Sequence, residues 1–556
     1  MFGAVRSGRI MTKKSPEILE VDTSQLEELL RRAEGRSFEE EDYDTIQSVL
    51  ESYVYVTGLL GDKKTSIARL RKLLFGPPTE SSDRIMGTGN SSSSDQVASD
   101  ESPSTSDETE PAAKPAGHGR NPAEAYQGGD QIDVPHESLN AGDTCPTCQQ
   151  GTVYEVSTPG VLVRVVGQAP LHACVYHLGR FRCNLCGKVF TAEPPEAAGE
   201  AKYDATASSM IALLKYGSGL PFNRLEGLQR SMKIPLPAST QWDVVHAIAP
   251  PIRPAYEELI RQAAQGEVLH NDDTTVKILE YMTPGTHQQA LDDHDDPSSR
   301  RTGLFTSGVV STCDAHRVAL FFSGRQHAGE NLADVLKQRD QELRRPIQMC
   351  DALSRNLTGD LQTIVANCLA HGRRQFVEVY DRFPDECARV LEALKVVYRN
   401  EANAQKKKLS PEKRLRFHRI KSQQTMDRLH KWLTRQFDEK RVEPNSALGS
   451  AIRYMLKHWD KLTLFLREAG APLDNNICER ALKKTILHRK NSLFYKTKNG
   501  ARVGDMFMSL IHTCELCQEN PFDYLTELQR HADELEAQPA DWMPWNYREA
   551  LASHAE

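Results

Sequence analysis

Two adjacent carboxylates interrupt the apolar segment VLHNDDTTVKIL, residues 268–279. The flanking residues predict a β-strand, in which successive side chains point to opposite faces. Asp272 shares the more apolar face with Val268 and Val276, whereas Asp273 is expected to face solvent or to cap a neighbouring loop. A carboxylate on an apolar face needs a cation or several hydrogen bonds, which makes Asp272 the candidate functional acid.

Two further acids complete a possible metal site. Asp351 follows the apolar segment PIQMC, and Glu479 lies near the start of a helix predicted in PLDNNICERALKK. Each has a simpler alternative as a helix cap. Asp351, at the end of a strand, could be the N-cap of the next helix, and Glu479 has capping-box spacing from Asn476. Together with Asp272, however, they are the ingredients of a two-metal site. Oxygen ligands suit Mg²⁺ or Mn²⁺, and two such ions can activate a water or a 3′-hydroxyl for in-line phosphoryl displacement.

The elements that would position these acids form a sheet-based α/β domain over 265–505, with a helix at about 328–342 and an exposed loop at 283–301. The candidate strands are 267–271, 304–312, 317–322, 346–350 and 362–369. Their order fits an RNase H-like fold, with a helical insertion at about 371–457 before the last acid. A C-terminal helical tail is predicted over 506–556.

Two Cys-x-x-Cys pairs predict a zinc ribbon over 141–195. Cys145 and Cys148 form one pair and Cys183 and Cys186 the other, and four thiolates on tight turns can close a tetrahedral structural Zn²⁺ site. Unrelated buried turns are the alternative. Three residues between the pairs could substitute as ligands, namely His172, Cys174 and His177. They are interpreted instead as strand residues. Such a module is expected to touch nucleic acid.

The rest of the N-terminal half divides by composition. Residues 19–77 predict a helical or coiled-coil segment that either self-associates or forms a small satellite. Residues 78–140, rich in Ser, Asp, Glu and Pro, predict a disordered linker. Residues 200–255 predict short helices, one capped by Ser239 or Thr240, in an arrangement like a helix-turn-helix.

A basic segment stands out in a chain of net charge −7. Between Lys406 and Arg441 there are 13 Lys or Arg and 4 Asp or Glu. A solvated helix face usually mixes signs, so a one-sided excess favours contact with phosphates. The sequence contains no apolar run long enough to span a bilayer, and its first residues lack the apolar stretch typical of a secretory signal, so neither feature is expected.

These motifs resemble those of the insertion-sequence-sixty-six family of bacterial DDE transposases, over nearly the whole chain after residue 20. LHNDDTTVKIL is similar to the family's first-acid motif and aligns the ligand with Asp272, and CDALSRN is similar to its second-acid segment without the usual Gly and Tyr. CLAHGRRQFVEV resembles a family signature that includes Cys368 and His371. These two residues have the spacing of metal ligands, but two ligands make only half a zinc site, so a structural role is favoured. PLDNNICERALKKTILHRKNSLF is the most specific match and contains Glu479.

The resemblance implies a DDE transposase with the catalytic triad Asp272, Asp351 and Glu479 holding two Mg²⁺ or Mn²⁺ ions, besides one structural Zn²⁺. It implies cleavage at terminal inverted repeats and joining of 3′-hydroxyls to target DNA. The expected DNA contacts are Arg373, Arg374, Lys406, Lys407, Lys408, Arg414, Arg416, Arg489 and Lys490. The expected partners are double-stranded DNA, a second subunit or a higher oligomer, and accessory proteins of the same element, in the bacterial cytoplasm at the nucleoid. An inactive DNA-binding regulator and an RNase H-type nuclease that cleaves without joining are the alternatives.

Overall fold

The structure is a computed structural model that describes residues 31–32, 42–43, 46, 140–154, 170–182, 189–282, 301–313, 316–359 and 363–554. The chain divides into two compact units, residues 1–92 with 384–395 and residues 93–383 with 396–556. In the first unit, Arg32 forms an ion pair with Asp42 at 3.3 Å. The segments expected at 19–77 and 78–140 lie almost wholly outside the described residues, as does most of the loop expected at 283–301.

The second unit contains a two-stranded and a five-stranded sheet. The strands are β1 (Arg180–Arg182), β2 (Val189–Thr191), β3 (Val268–Thr275), β4 (Phe305–Cys313), β5 (His316–Gly324), β6 (Ile347–Cys350) and β7 (Ile364–Asn367). The larger sheet has the order β5-β4-β3-β6-β7. Strand β3 pairs antiparallel with β4 and parallel with β6, β4 pairs antiparallel with β5, and β6 pairs parallel with β7. The protein is therefore a mixed α/β structure in which β3 is the central strand.

Along the chain, helices precede the five-stranded sheet, connect some of its strands and follow its last strand. Before and between the strands lie α1 (Ala205–Ala212), α2 (Phe222–Ser231), α3 (Ala238–Ala264) and α4 (Ala328–Leu336). After β7 come α5 (Leu369–Val379), α6 (Pro384–Lys406), α7 (Pro411–Lys421), α8 (Gln423–Asp438), α9 (Ala447–Lys457) and α10 (Trp459–Leu462). The last helices are α11 (Asn476–Ser492), α12 (Lys498–Cys517), α13 (Pro521–Arg530), α14 (Ala532–Ala537) and α15 (Tyr547–His554).

Helix α12 covers the free edge of β5 with polar side chains spaced four residues apart. The backbone N–H groups of Ala319, Phe321 and Ser323 donate to Thr513 Oγ1 (3.0 Å), Ser509 Oγ (3.0 Å) and Asp505 Oδ2 (2.6 Å). Four helical residues rise about 6 Å and two strand residues about 6.8 Å, so the two spacings nearly match. The edge of the sheet is thus satisfied within the chain, and the apolar residues beside it, such as Phe321 and Leu510, are fully buried.

Two predicted helices have different limits in the structure. The predicted short helix capped by Ser239 or Thr240 instead begins after Pro237 and continues to Ala264, through three internal prolines. Its buried stripe includes Val245, Ile252 and Leu259, and this packing offsets the hydrogen bonds that the prolines remove. The helix predicted at 328–342 ends at Leu336.

The strand predictions were confirmed in position, with one difference that matters for the site. The first strand was expected at 267–271, but β3 continues to Thr275 and includes both aspartates. It can do so because β4 pairs with it along its full length, as far as Thr275 opposite Phe305. Among the described residues, no helix combines the length and apolar character needed to cross a bilayer.

Candidate functional site

Asp272 lies in the central strand, between one antiparallel and one parallel neighbour. It pairs with Gly308 of β4. On the other side, β3 pairs with β6 in a register that joins Val268 to Ile347 and His270 to Met349. Continued by two residues, this parallel register aligns Asp272 with Asp351, and adjacent strands lie about 4.8 Å apart.

Asp351 immediately follows β6 and is held by the turn that comes after it. Its Oδ1 accepts hydrogen bonds from Asn356 Nδ2 (2.5 Å) and from the backbone N–H of Leu353 (3.2 Å). The turn is anchored in its own right, because the carbonyl of Asn356 accepts from Asn271 Nδ2 at 2.8 Å and from Gln348 Nε2 at 2.6 Å. The residue expected as a possible helix cap is therefore oriented by a network that also contains β3.

Glu479 lies in the first turn of α11, and Asn475 attaches the start of this helix to the sheet. The buried Asn475 side chain contacts His270 Nδ1 (3.1 Å) and donates to the carbonyl of Asn271 (3.1 Å), while its backbone N–H donates to Cys368 Sγ (3.3 Å). The capping box considered for Asn476 and Glu479 is not formed, since the N-cap residue is Asn475 and the Asn476 N–H donates instead to Asp474 Oδ1 at 3.1 Å.

The same helix approaches β4 closely, opposite Asp272. Cys478 Sγ contacts the carbonyl of Gly308 at 3.3 Å. A Cβ atom at Gly308 would lie 3.0 Å from Leu482 Cδ2, so the absence of a side chain there allows α11 to pack on the strand. Glu479, Asp272 and Asp351 are thereby brought to one region of the sheet.

The electrostatics of Asp272 reflect this grouping. Burial raises the pKa of Asp272 to about 7, and the negative charges of Asp351, Asp273 and Glu479 also raise it, against the hydrogen bond from the Asp273 backbone. Such a shift means that burial, together with the neighbouring negative charges, disfavours the ionised form of Asp272. A strongly shifted acid among others is characteristic of functional sites.

Glu479 has basic neighbours from α5. His371 Nδ1 lies 3.7 Å from Glu479 Oε1, and Arg374 lies 3.9 Å from Oε2. The donor atoms of Cys368, His371 and Glu479 lie within 4.8 Å of one another. Burial raises the pKa of Cys368 to about 12, so it is a neutral thiol, and it already accepts the hydrogen bond from Asn475.

Asp273 does not face solvent, so the first of its two expected placements was wrong; its ion pair with a residue of the neighbouring turn agrees better with the second. Its side chain is 1% exposed; it forms an ion pair with Arg355 at 3.2 Å and contacts His327 Nδ1 at 2.8 Å. It points to the face opposite Asp272, as strand alternation requires. That face is covered by α4 and by the turn after Asp351, which were not recognisable as neighbours from the sequence.

The residues expected to contact DNA fall into two groups. Lys406, Lys407, Lys408, Arg416 and Lys490 are exposed, and Arg374 is half-buried beside Glu479. Three others have partners or positions inside the protein. Arg373 is 8% exposed, Arg414 binds Glu401 and the carbonyl of Ala471, and Arg489 binds the side chains of Thr274 and Thr275. The burial of Arg373 does not suit a DNA contact.

The first cysteine pair lies on a tight turn. The Cys145 N–H donates to the carbonyl of Gly151 (2.7 Å), and the Gln149 N–H donates to the carbonyl of Cys145 (2.9 Å). Hydrogen bonds from the backbone of Gln150 and Gly151 lower the pKa of Cys148, which favours the thiolate that binds metal.

The second pair, Cys183 and Cys186, lies outside the described residues. Between the pairs, His172, Cys174 and His177 were interpreted as strand residues, but they lie in an irregular segment before β1. His172 Nδ1 and Cys174 Sγ are 3.8 Å apart.

Sequence reasoning missed the residues that hold the carboxylates in place. Asn475 and Asn356 were not singled out. Asn356 follows Asp351 closely enough for a local side-chain hydrogen bond to be anticipated, whereas the partners of Asn475 are distant in the sequence. His327 and Arg355 carried no local signal, because their partner Asp273 is far away in the sequence.

The part of the chain that contains the sheet and the three acids is similar in sequence to known proteins. A sequence model of a transposase family matches residues 201–503, which include the five-stranded sheet and all three acids. The model is that of the IS66 family of transposases, and since it covers more than half of the chain, the protein belongs to that family.

Two relatives from Sinorhizobium fredii (strain NBRC 101917 / NGR234) are similar over a larger part of the chain. The uncharacterized protein y4hP is 27% identical over 403 residues, 67% of this chain and 68% of its own. The uncharacterized protein y4jD is 26% identical over 392 residues, 66% of this chain and 71% of its own. The similarity therefore extends beyond the residues that the family model matches.

Proposed function

We propose that the protein is a DDE transposase that binds the terminal inverted repeats of its element, cleaves the DNA there and joins the 3′-hydroxyls to a target. The observation that carries the proposal is the parallel register of β3 and β6, which aligns Asp272 with Asp351. Glu479 lies on the helix that packs against β4 at Gly308, the residue paired with Asp272. Three acids far apart in the sequence thus lie on one side of the sheet, near enough that the charges of Asp351 and Glu479 raise the pKa of Asp272.

The strand order supports an RNase H-like catalytic domain. Three antiparallel strands, β3, β4 and β5, are extended on the other side of β3 by the parallel strands β6 and β7. Helices α5 to α10 lie between β7 and the helix that carries Glu479, where the sequence predicts an insertion.

The residues present fit divalent metal ions. Three carboxylates, among which burial and neighbouring negative charges raise the pKa of Asp272, offer hard oxygen ligands. Asp272, Asp351 and Glu479 would hold two Mg²⁺ or Mn²⁺ ions, which when bound would supply charge stabilisation for phosphoryl transfer. Asn356 fixes one oxygen of Asp351, and Asn475 fixes the helix that presents Glu479. A structural Zn²⁺ held by Cys145, Cys148, Cys183 and Cys186 is part of the proposal.

DNA would approach over exposed cations. Lys406, Lys407, Lys408 and Arg416 belong to the basic insertion helices and their connection, and Lys490 follows the catalytic acid on α11. Phosphate contacts of this kind position DNA without reading its sequence. Arg374, beside Glu479, would meet the phosphates nearest to the reacting bond.

The test uses the full chain and a tiled set of 40-bp duplexes from the DNA on both sides of the coding region. The wild type is expected to shift the duplexes that hold inverted repeats and, with Mg²⁺, to join their 3′-ends to a plasmid. Asp272→Ala, Asp351→Ala and Glu479→Ala should each abolish joining while binding persists. Full joining by any of the three would refute the assignment.

Two other outcomes would identify the alternatives. A wild type that shifts end DNA but never produces 3′-hydroxyls would be a DNA-binding regulator. Ends that are cleaved and accumulate without joining would indicate a nuclease.

A further inference from the structure

Two large apolar side chains protrude directly after the helix that carries Glu479. Leu493 is 62% exposed and Phe494 is 45% exposed, and they are consecutive. We call this pair the apolar tip. Single exposed apolar residues are common, but two adjacent ones on a tight turn are not explained by folding.

The backbone at the tip is strained. Leu493 has φ 66° and ψ −43°, and the N–H of Phe494 donates to the carbonyl of Ser492 at 2.8 Å. This is the rare γ-turn with positive φ, which a leucine adopts only at an energetic cost. Strain of this kind persists where the surrounding structure imposes it, often at functional sites.

The surroundings do impose it. On one side, the Leu493 N–H closes the last turn of α11 by donating to the carbonyl of Arg489 (2.8 Å). On the other side, the Tyr495 N–H donates to the carbonyl of Lys277 (2.8 Å), and the Tyr495 carbonyl accepts from Leu279 (2.9 Å). Tyr495 itself is buried, and a Cβ atom at Gly504 would meet its hydroxyl at 2.7 Å. The tip is therefore held outward between two fixed points.

Among the described residues of the two paired segments and the adjoining helix ends, the charges around the tip are mostly positive. Lys277, Lys490, Lys496 and Lys498 are exposed there. The acid in these described segments is Glu280, whose carboxylate accepts from the backbone N–H of Lys498 at 2.7 Å. Apolar side chains within a patch of cations match a polyanion that also offers flat apolar surfaces, which is the character of DNA with opened base stacking.

We propose that the apolar tip is a wedge that inserts between base pairs of the bound DNA end and unstacks them. This rests on the proposed function, because it assumes that DNA lies along α11 toward Glu479. From Glu479 to Ser492 the helix rises about 20 Å, which corresponds to about six base-pair steps of DNA at ~3.4 Å each. The distortion is therefore expected about six base pairs from the reacting phosphate. Opening the stack there would let the DNA bend toward the sheet.

The experiment uses a 40-bp end duplex that the wild type shifts, with single 2-aminopurine reporters at positions three to nine from the cleaved end. Wild-type protein at saturation should raise the fluorescence severalfold near position six. Phe494→Ala should remove this rise and weaken binding about tenfold, with an unchanged salt dependence, since no phosphate contact is lost. The Lys490→Gln, Lys496→Gln double variant should instead lower the salt slope by about two.

Two further variants separate insertion from simple folding effects. Glycine adopts positive φ without strain, so Leu493→Gly should raise the thermal midpoint of unfolding. The same variant should reduce the fluorescence response, because the inserted side chain is lost. If the residue had only a structural role, the midpoint and the response would change in the same direction. Leu343→Ala, which removes a 44% exposed side chain before β6, should leave both unchanged.

Three results would overturn the wedge. One is DNA binding without a fluorescence rise at any position. Another is a Phe494→Ala protein that keeps the rise but sediments as a smaller species, which would make the tip a contact between copies of the chain. If the wild type shifts none of the duplexes, the proposed function fails first and the wedge fails with it.

Discussion

The carboxylate of Asp273 forms an ion pair with Arg355 at 3.2 Å, on the face of β3 opposite Asp272. Arg355 belongs to the turn that begins at Asp351 and contains Asn356, the residue that binds the Asp351 carboxylate. The pair therefore connects the strand that carries one proposed metal ligand to the loop that carries the next. In this pair of adjacent aspartates, Asp272 would bind metal, and Asp273 would fix the distance between Asp272 and Asp351.

Asp273→Asn is expected to lower strand transfer about 10- to 100-fold, the usual effect of removing a residue that orients a metal ligand. The loss should appear mainly as a higher Mg²⁺ requirement, while the affinity for end DNA stays near that of the wild type. Titrating Mg²⁺ in the joining assay measures this. An unchanged Mg²⁺ requirement would show that the ion pair does not position Asp351.

The coupling between the two residues can be measured directly. If Asp273 acts through Arg355, the double variant Asp273→Asn, Arg355→Gln should be little worse than either single variant. Asp273→Glu keeps the charge and should restore part of the activity. Additive losses would mean that the two residues act independently of each other.

Much of this site could be predicted because its acids carry local signals. Asp272 and Asp351 interrupt or end apolar strands, and their strands were placed to within a few residues. The register that aligns them, and the burial of Asp273, depend on pairings between distant segments that no local pattern encodes. The full length of helix α3 was missed for a related reason: its apolar stripe outweighs prolines that normally end a helix.

Zinc content tests the cysteine module. We expect about one equivalent of Zn²⁺ to co-purify with the protein, because four thiolates close one tetrahedral site. The Cys145→Ser, Cys183→Ser double variant should lose it, whereas Cys514→Ser, in the buried core of α12, should retain it. Metal analysis of the purified proteins decides, and retention by the double variant would assign the metal to other ligands.

The insertion contains a half-buried acid whose contribution to stability depends on pH. Burial alone would raise the pKa of Glu401, but His418 Nε2 (2.8 Å) and Arg414 Nε (2.8 Å) lower it to about 2. Because the folded pKa lies below the ordinary value, the stabilisation is complete above about pH 4.5 and is lost as the pH falls toward 2. The linkage amounts to at most about 3 kcal/mol.

Glu401→Gln should therefore be less stable than the wild type by about 2–3 kcal/mol at pH 6, with a difference that shrinks toward pH 3. Urea unfolding at several pH values measures the difference. Glu412→Gln, at an exposed position of α7, is the matched control and should be neutral. A Glu401→Gln difference that is independent of pH would mean that lost packing, rather than charge, is responsible.

The polar side chains of α12 that cover β5 make the last prediction. Thr513→Val removes the hydroxyl that accepts the N–H of Ala319 and donates to its carbonyl, and keeps nearly the same volume. Both backbone groups are buried, so the expected loss in free energy of unfolding is about 1–3 kcal/mol. Thr513→Ser keeps the hydroxyl and should lose less.

Ser509→Ala should behave like Thr513→Val, since it leaves the N–H of Phe321 without an acceptor. If denaturant unfolding shows Thr513→Val to be as stable as the wild type, α12 covers the strand edge by apolar packing alone. Light scattering at elevated temperature should also show earlier aggregation of both variants, because an unsatisfied edge strand can pair with another chain.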